Sequence, residues 1–386
     1  APAASPSTTS SACDVLKFHS LTVARVTPDA EDAVAIELAV PSGLREEYLG
    51  TAGQHVVVRV SLGGEDTRRT YSLVNAPGEW PLRIVPRVHA LGRVSRYLAE
   101  QLRPGDELEV LPPNGSFTPR EAAPEGGTYV AFAAGCGITP VLSVIRALLA
   151  GSGARVILFY GNTSSARTMC LEELLALKDQ HLGRLSLHFV MSREPQEVAL
   201  YNGRIDAPRV RQFAAALFRA PQVREYFVCG PGDMIEQVSA TLRELGVDAA
   251  RVHAEHFTVA TTEAAAMREG AAATAAPAAI APLPPAPGPA PAGTAEVTVL
   301  MDGRRRSFAM KMDDETVLDA AARAGIELPF SCRAGVCSTC RTKVIRGEVA
   351  MAQNYALEDW ELEQGYVLAC QSRVRSASLE LDYDEK

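Results

Sequence analysis

A chain of 386 residues, 47% hydrophobic and 22% charged, is long enough for two or three domains with cores of their own. A formal net charge of −8 argues against nucleic acid or an anionic membrane surface as partner, and suits docking onto a basic protein. The sequence holds no run of about twenty apolar residues to span a bilayer.

Residues 1–12 lack the basic start and apolar middle of a signal peptide, and 1–17 read as a disordered polar tail. From 18 to 121, short alternating runs at 21–26, 33–38, 54–60, 68–74, 82–88 and 107–111 are broken by Gly, Pro and Asp. Such spacing predicts an antiparallel barrel or sandwich. A helix over 92–102, ended by Pro104 and Gly105, interrupts it.

Between 122 and 258 the rhythm changes. Apolar strands over 128–134, 155–160, 185–191 and 225–229 alternate with helices reaching 150 and over 171–177, 207–217 and 233–244. That alternation predicts a parallel sheet covered on both faces.

Residues 259–294 collapse to Ala and Pro with almost no charge, which reads as a semi-rigid tether; an Ala-rich helix over 263–275 is the alternative. Beyond it, strands over 296–300 and 307–311 flank Asp302-Gly303, a hairpin signal. A helix runs from about 313 to Gly325, and 366–371 form a strand. Residues 295–386 thus make a small sheet-plus-helix domain, with 16 acidic and 12 basic residues.

The strongest chemical signal lies in that last domain. Cys332-Arg-Ala-Gly335-Val-Cys337-Ser-Thr-Cys340 and the distant Cys370 show the C-x4-C-x2-C…C spacing of a 2Fe–2S site. Two bridged ferric ions need four thiolates, and Gly335 lets backbone amides approach the sulfurs. A disulfide pair or a tetrahedral zinc site is the alternative, but zinc usually takes two separated C-x2-C pairs. The other four cysteines, Cys13, Cys136, Cys170 and Cys229, are scattered without a disulfide framework, and an iron–sulfur protein suits a reducing, cytoplasmic setting.

Weaker motifs precede it. Arg69-Thr70-Tyr71-Ser72 ends a predicted strand, with Arg69 and Tyr71 on one side and Ser72 on the other. A guanidinium, an aromatic face and a hydroxyl are the groups a flavin uses. Gly92-Arg-Val94-Ser95 opens the helix within the barrel, a place for a pyrophosphate or simply a capped helix. Gly135-Cys-Gly137-Ile-Thr139-Pro140 joins a buried strand to a helix, where a dinucleotide belongs or where a plain tight turn would serve. Cys229-Gly230-Pro-Gly232 ends another apolar strand, and Glu255-His-Phe257 precedes the tether. Ser164 and Arg167 follow the second strand of the alternating region, and no acid occurs between Tyr160 and Met169, which favours a ribose 2′-phosphate.

Taken in order, these motifs resemble the ferredoxin–NADP reductase superfamily over residues 18–258, and the C-terminal quarter resembles a plant-type ferredoxin. Flavin, then nucleotide, then cluster is similar to the reductase components of multicomponent monooxygenases of the phenylacetyl-CoA epoxidase type. Residues 18–23, Gly53-Gln-His55 and 86–95 are similar to that subgroup.

The resemblance implies a β-barrel flavin domain, an α/β nucleotide domain and a β-grasp ferredoxin domain. It implies FAD held by Arg69, Thr70, Tyr71 and Ser72, with Gly92, Val94 and Ser95 at its pyrophosphate. Thr139 would lie between flavin and nicotinamide, and Gly135 and Gly137 beside the NADPH pyrophosphate. Ser164 and Arg167 would hold the ribose phosphate, and Cys229 with Gly230 would meet the nicotinamide. Glu255 and Phe257 would border the isoalloxazine, and Cys332, Cys337, Cys340 and Cys370 would ligate the cluster. Ser72, Thr139, Cys229 and Glu255 are the expected catalytic set. The implied activity is electron transfer from NADPH through FAD and a 2Fe–2S cluster to a diiron oxygenase component, with NADH as the lesser donor. A reductase of a ring-hydroxylating dioxygenase, or a simple ferredoxin-like carrier, is the alternative. Thr163 departs from the family pattern, standing where a basic residue is expected.

Overall fold

In the computed structural model, residues 17–120, 126–151, 153–257, 293–312, 314–357 and 359–385 are described. The expected tail up to residue 16, and the expected tether up to residue 292, lie outside them. The chain divides into two compact units, one built mainly on residues 18–257 and the other mainly on residues 293–335 and 339–385.

The first unit begins with β1 (His19–Ala30), β2 (Ala33–Ala39), β3 (His55–Leu62), β4 (Glu65–Ser72), β5 (Leu82–Ile84) and β6 (Glu107–Val110). They pair in the order β4-β3-β6-β1-β2-β5. A bridge from Leu73 to Ile84 joins the two edge strands and closes the sheet, which decides for a barrel. Alternation explains the packing. Val56, Val58 and Val60 of β3 point into a core with Leu21, Ile36, Leu38 and Val110, while Arg59 on the other face pairs with Glu109. Helix α1 (Arg93–Glu100) plugs that core with Val94 and Leu98.

The second half of this unit is a five-stranded parallel sheet in the order β11-β10-β7-β8-β9. Its strands are β7 (Gly127–Ala134), β8 (Ala154–Asn162), β9 (Leu185–Met191), β10 (Tyr226–Gly230) and β11 (Val252–His256). Helices α2 (Ile138–Ala150), α3 (Leu171–Gln180), α4 (Ala207–Leu217) and α5 (Gly232–Glu244) connect them. The chain runs outward from β7 through β8 to β9, then returns to the other side of β7 with β10. A ligand crevice therefore opens at the carboxyl ends of β7 and β10.

Barrel and sheet share one core. Ala33, Ala52, Val74, Val85 and Phe117 pack in the same cluster as Val141, Leu142 and Ile145 of α2. The tip of the β1–β2 hairpin adds polar contacts. Asp29 accepts the Cys170 N–H at 3.0 Å, Glu31 N–H donates to the Ala166 carbonyl at 2.9 Å, and Asp32 pairs with both Arg87 and Arg167.

The second unit is a five-stranded sheet in the order β13-β12-β18-β14-β16. Its strands are β12 (Thr294–Met301), β13 (Arg304–Lys311), β14 (Arg341–Arg346), β16 (Tyr366–Leu368) and β18 (Ser378–Asp382), with a separate ribbon of β15 (Val349–Met351) and β17 (Ser372–Val374). Asp302 and Gly303 turn the first hairpin, both at positive φ, 55° and 66°. Helix α6 (Val317–Arg323) starts at a Thr316 cap whose Oγ1 accepts the Asp319 N–H at 3.2 Å, and it lays Val317, Leu318, Ala320 and Ala321 on the sheet. The pattern of the sequence puts Cys370 on a strand. Instead it follows β16, which ends at Leu368, and lies in a turn closed by the Gln371 N–H to the Leu368 carbonyl at 2.9 Å.

Candidate functional site

At the end of β4, Arg69 and Tyr71 share one face and Ser72 takes the other. Tyr71 packs at the margin of the barrel core, where burial pushes its phenol up. Arg69 is exposed and donates to the Arg68 carbonyl at 2.7 Å, and Thr70 is half-buried.

Ser72 is buried, and its Oγ has no hydrogen-bond partner. Directly opposite it in the β3–β4 ladder stands His55, so the two side chains rise side by side. His55 Nδ1 is 3.6 Å from Glu255 Oε1 at the end of β11. Both His55 ring nitrogens and Glu255 Oε2 lack a hydrogen bond. Gly115 makes room for this ring, because a β-carbon there would come within 2.9 Å of His55 Nδ1.

Nearby, Gly92 caps α1 without any side-chain cap. The Ser95 hydroxyl is spent locally: it donates to the Gly92 carbonyl and accepts the His89 N–H, each at 3.2 Å. Val94 is buried in the barrel core, so only its backbone is left to offer. What α1 presents is therefore a turn of amides suited to phosphate. Leaving buried donors and acceptors unpaired costs roughly 1–3 kcal/mol each. A flat ring with nitrogen and oxygen along its edge, carried on a pyrophosphate, supplies the missing partners, and the residues present fit FAD.

At the crevice the two glycine turns touch. Gly135 has φ +57°, and a β-carbon on it would lie 2.8 Å from the Arg87 guanidinium. On Gly137 it would stand 2.1 Å from the Cys229 carbonyl oxygen. Gly230 is as tight, 2.7 Å from Met234 Cε. Thr139 is buried in the first turn of α2, its Oγ1 donating to the Cys136 carbonyl at 3.0 Å. Cys229 is fully buried, and burial first, then Glu255 and Cys136, push its thiol well up. It is a neutral thiol, not a nucleophile. Phe257 packs at the margin of the shared core.

Ser164 and Arg167 lie on the loop after β8, but Arg167 is engaged: its guanidinium meets Asp32. Sequence reasoning also missed an acid that arrives from β9. Glu194 accepts the Ser165 N–H at 2.7 Å and its hydroxyl at 2.6 Å, which hold its carboxyl below the usual range. Beside it, the Arg193 N–H donates to the Thr163 carbonyl at 3.0 Å, which brings an exposed arginine to the same loop. His55, too, is visible in the sequence only through the resemblance. The signal that singles it out is a histidine opening a strand, directly before the run Val56-Val57-Val58.

Of the four candidate ligands, Cys332 is half-buried and Cys337, Cys340 and Cys370 are buried. Arg333 and Ser338 have positive φ, 55° and 47°, a conformation L side chains rarely take, and Gly335 has 74°. That backbone turns amides inward: the Ala334 N–H donates to Cys332 Sγ at 3.3 Å. A hydrogen bond with Cys340 draws the Cys370 thiol down against the effect of burial, helped by Gln371 and the Gly335 amide. Donors already aimed at sulfur fit a cluster of thiolate ligands.

Three known families match successive parts of the chain. Residues 25–118 match the oxidoreductase FAD-binding domain family, 132–240 the oxidoreductase NAD-binding domain family, and 299–375 the 2Fe–2S iron–sulfur cluster binding domain family. The chain is 38% identical over 372 residues to a 1,2-phenylacetyl-CoA epoxidase subunit of Escherichia coli (strain K12), covering 96% of this chain and 98% of that one. It is 31% identical over 368 residues to the ferredoxin reductase component of 3-ketosteroid-9-alpha-monooxygenase of Rhodococcus rhodochrous, covering 94% and 96%. Among solved structures, phthalate dioxygenase reductase shares the fold with a TM-score of 0.57 at 24% identity, over 95% of this chain and 98% of that one. The chain belongs to the ferredoxin–NADP-reductase-like flavoproteins with a C-terminal 2Fe–2S domain that serve as reductase components of multicomponent oxygenases.

Proposed function

We propose that this reductase draws electrons from NADPH and delivers them to the diiron oxygenase component of a phenylacetyl-CoA epoxidase in the cytoplasm. The relative at 38% identity over nearly the whole of both chains supports that partner. The observation that carries the site assignment is the corner of unpartnered polar atoms on Ser72, His55 and Glu255.

When bound, FAD would supply the splitting of one hydride's electron pair into single electrons, and the cluster one-electron carriage. The chain's own residues bind and orient. Arg69, Thr70 and Tyr71 hold the flavin from the β4 edge, while the amides of Gly92, Val94 and Ser95 take its pyrophosphate. Ser72 Oγ offers a hydrogen bond at the flavin edge, Glu255 and Phe257 border it, and Thr139 closes the side toward the nicotinamide. Gly135, Gly137 and Gly230 let backbone approach the nucleotide, and the Cys229 thiol offers a neutral, polarizable surface to its ring. Cys332, Cys337, Cys340 and Cys370 hold the two irons. For the ribose, Ser164, Arg167 and Arg193 favour a 2′-phosphate and Glu194 opposes it.

The test is Cys332→Ser in the full chain. Reduction of cytochrome c, a one-electron acceptor, should be lost while flavin-dependent ferricyanide reduction is spared. Equal loss of both would refute the electron order. Anaerobic titration with NADPH and NADH separately, followed by visible absorbance, decides the donor. Pairing with purified epoxidase oxygenase, against a ring-hydroxylating dioxygenase, decides the partner.

A further inference from the structure

Tyr383 is a residue that neither the motif nor the fold assigns. It follows β18 directly, and its N–H donates to the Leu300 carbonyl at 2.9 Å. The ladder places Asp382 opposite Lys343 of β14, and the Thr342 hydroxyl donates to the Asp382 carbonyl at 2.9 Å. Tyr383 therefore stands at the start of β14, next to Cys340. The turn carrying Cys370 reaches the same corner, because the Ala369 N–H donates to the Cys340 carbonyl at 3.0 Å.

The Tyr383 ring packs at the margin of the core cluster that contains Cys340 and Cys370. Its hydroxyl is buried and has no hydrogen-bond partner. Burial pushes the phenol well up, and Cys340 and then Cys370 push it further, so both sulfurs lie within its electrostatic reach. A buried hydroxyl is rarely left without an acceptor. Here the two ligand sulfurs are acceptors within its reach, and they become thiolates once iron is bound.

We propose that the Tyr383 hydroxyl is a hydrogen-bond donor to the sulfur of the 2Fe–2S site at Cys340 and Cys370, and that it sets the cluster's reduction potential. One-electron reduction adds a negative charge to a group already carrying four thiolates. A donor aimed at that sulfur stabilises the reduced form more than the oxidised one, and so raises the potential. Tyr383 is a positioning and tuning residue; it exchanges no proton and no electron.

The test uses the full chain loaded with FAD and cluster, titrated electrochemically and followed by the EPR signal of the reduced cluster. Tyr383→Phe keeps the ring and removes only the donor. Its midpoint should move to more negative potential, and the shift of the iron–sulfur stretching bands between H2O and D2O should shrink. A wild-type midpoint with a wild-type deuterium shift overturns the proposal. Should the Phe variant not retain its cluster, 3-fluorotyrosine at position 383 decides: it is a stronger donor of nearly the same size. A raised midpoint supports the proposal and an unmoved one overturns it. The inference rests on the four cysteines holding a cluster. A wild-type chain that bound none would fail that assignment too, whereas an intact cluster with an unmoved midpoint fails this proposal alone.

Discussion

Gly137 and Cys229 meet so closely that a single added carbon would stand 2.1 Å from the Cys229 carbonyl oxygen. The glycine is there for space, since its φ of −60° is open to any residue. Gly137→Ala must therefore push β7 and β10 apart at the mouth of the crevice. The expected cost is about 1–3 kcal/mol of stability, read as a lowered unfolding midpoint in urea. The KM for the nucleotide should rise by about tenfold, which is roughly 1.4 kcal/mol.

Ser72→Ala should separate stability from activity. Removing a buried hydroxyl that has no partner in the ligand-free protein leaves stability unchanged or slightly higher. Flavin reduction should nonetheless slow by about tenfold or more, as expected for a lost hydrogen bond worth about 1.5 kcal/mol at the reacting edge. Stopped-flow absorbance of the FAD-loaded variant checks the rate, and thermal unfolding of the FAD-free form checks the stability.

A buried pair at the other end of β11 predicts an acid limb. His253 Nε2 lies 2.7 Å from Glu225 Oε2, and the Arg120 N–H donates to the same oxygen at 3.1 Å. Burial alone would raise the Glu225 carboxyl, but these hydrogen bonds win and hold it below the usual range. The unfolded chain thus binds this proton more readily. The stability is present above the ordinary carboxylate value of about 4.3 and is lost as the pH falls through the folded one. Urea unfolding between pH 3 and 7 should show the loss at roughly 1.4 kcal/mol per unit at most. Glu225→Gln should flatten that limb. Glu225→Ala, which removes the carboxylate bonded to His253 Nε2 and to the Arg120 N–H, should cost about 1–3 kcal/mol.

Nucleotide preference should follow Arg193. Arg193→Ala is expected to raise the KM for NADPH by about tenfold or more, in line with 1.5–3 kcal/mol for a hydrogen bond to a charged group. The KM for NADH should change little. Steady-state kinetics with both donors measures the ratio, and equal effects on the two would remove Arg193 from the ribose site.

Much of this is legible from the chain because backbone chemistry announces itself. The spacing of Cys332, Cys337 and Cys340 marks the cluster loop. Asp302-Gly303 marks a turn that the structure shows at positive φ in both residues. The strand over 185–191 and the helix over 207–217 fall where hydrophobic periodicity puts them.

Strand β11 escapes sequence reasoning for a physical reason. Its buried positions are His253 and Glu255, which face Glu225 and His55 from distant segments, so it shows no apolar alternation. Likewise β13 begins at Arg304, three residues before the expected 307. At a sheet edge Arg304, Arg305 and Arg306 are all exposed, and periodicity vanishes. Nucleotide preference is obscured in the same way. A search between Tyr160 and Met169 cannot see Glu194, which arrives from the next strand.

The hairpin tip that reaches from the barrel to Cys170, Ala166 and Arg167, together with the core running beneath it, has a mechanical consequence. Flavin half and nucleotide half are welded, not hinged. Such a body cannot close like a jaw around an incoming dinucleotide. Whatever discrimination it exercises must already be standing in the crevice, in fixed side chains and close-fitting glycines, before the ligand arrives.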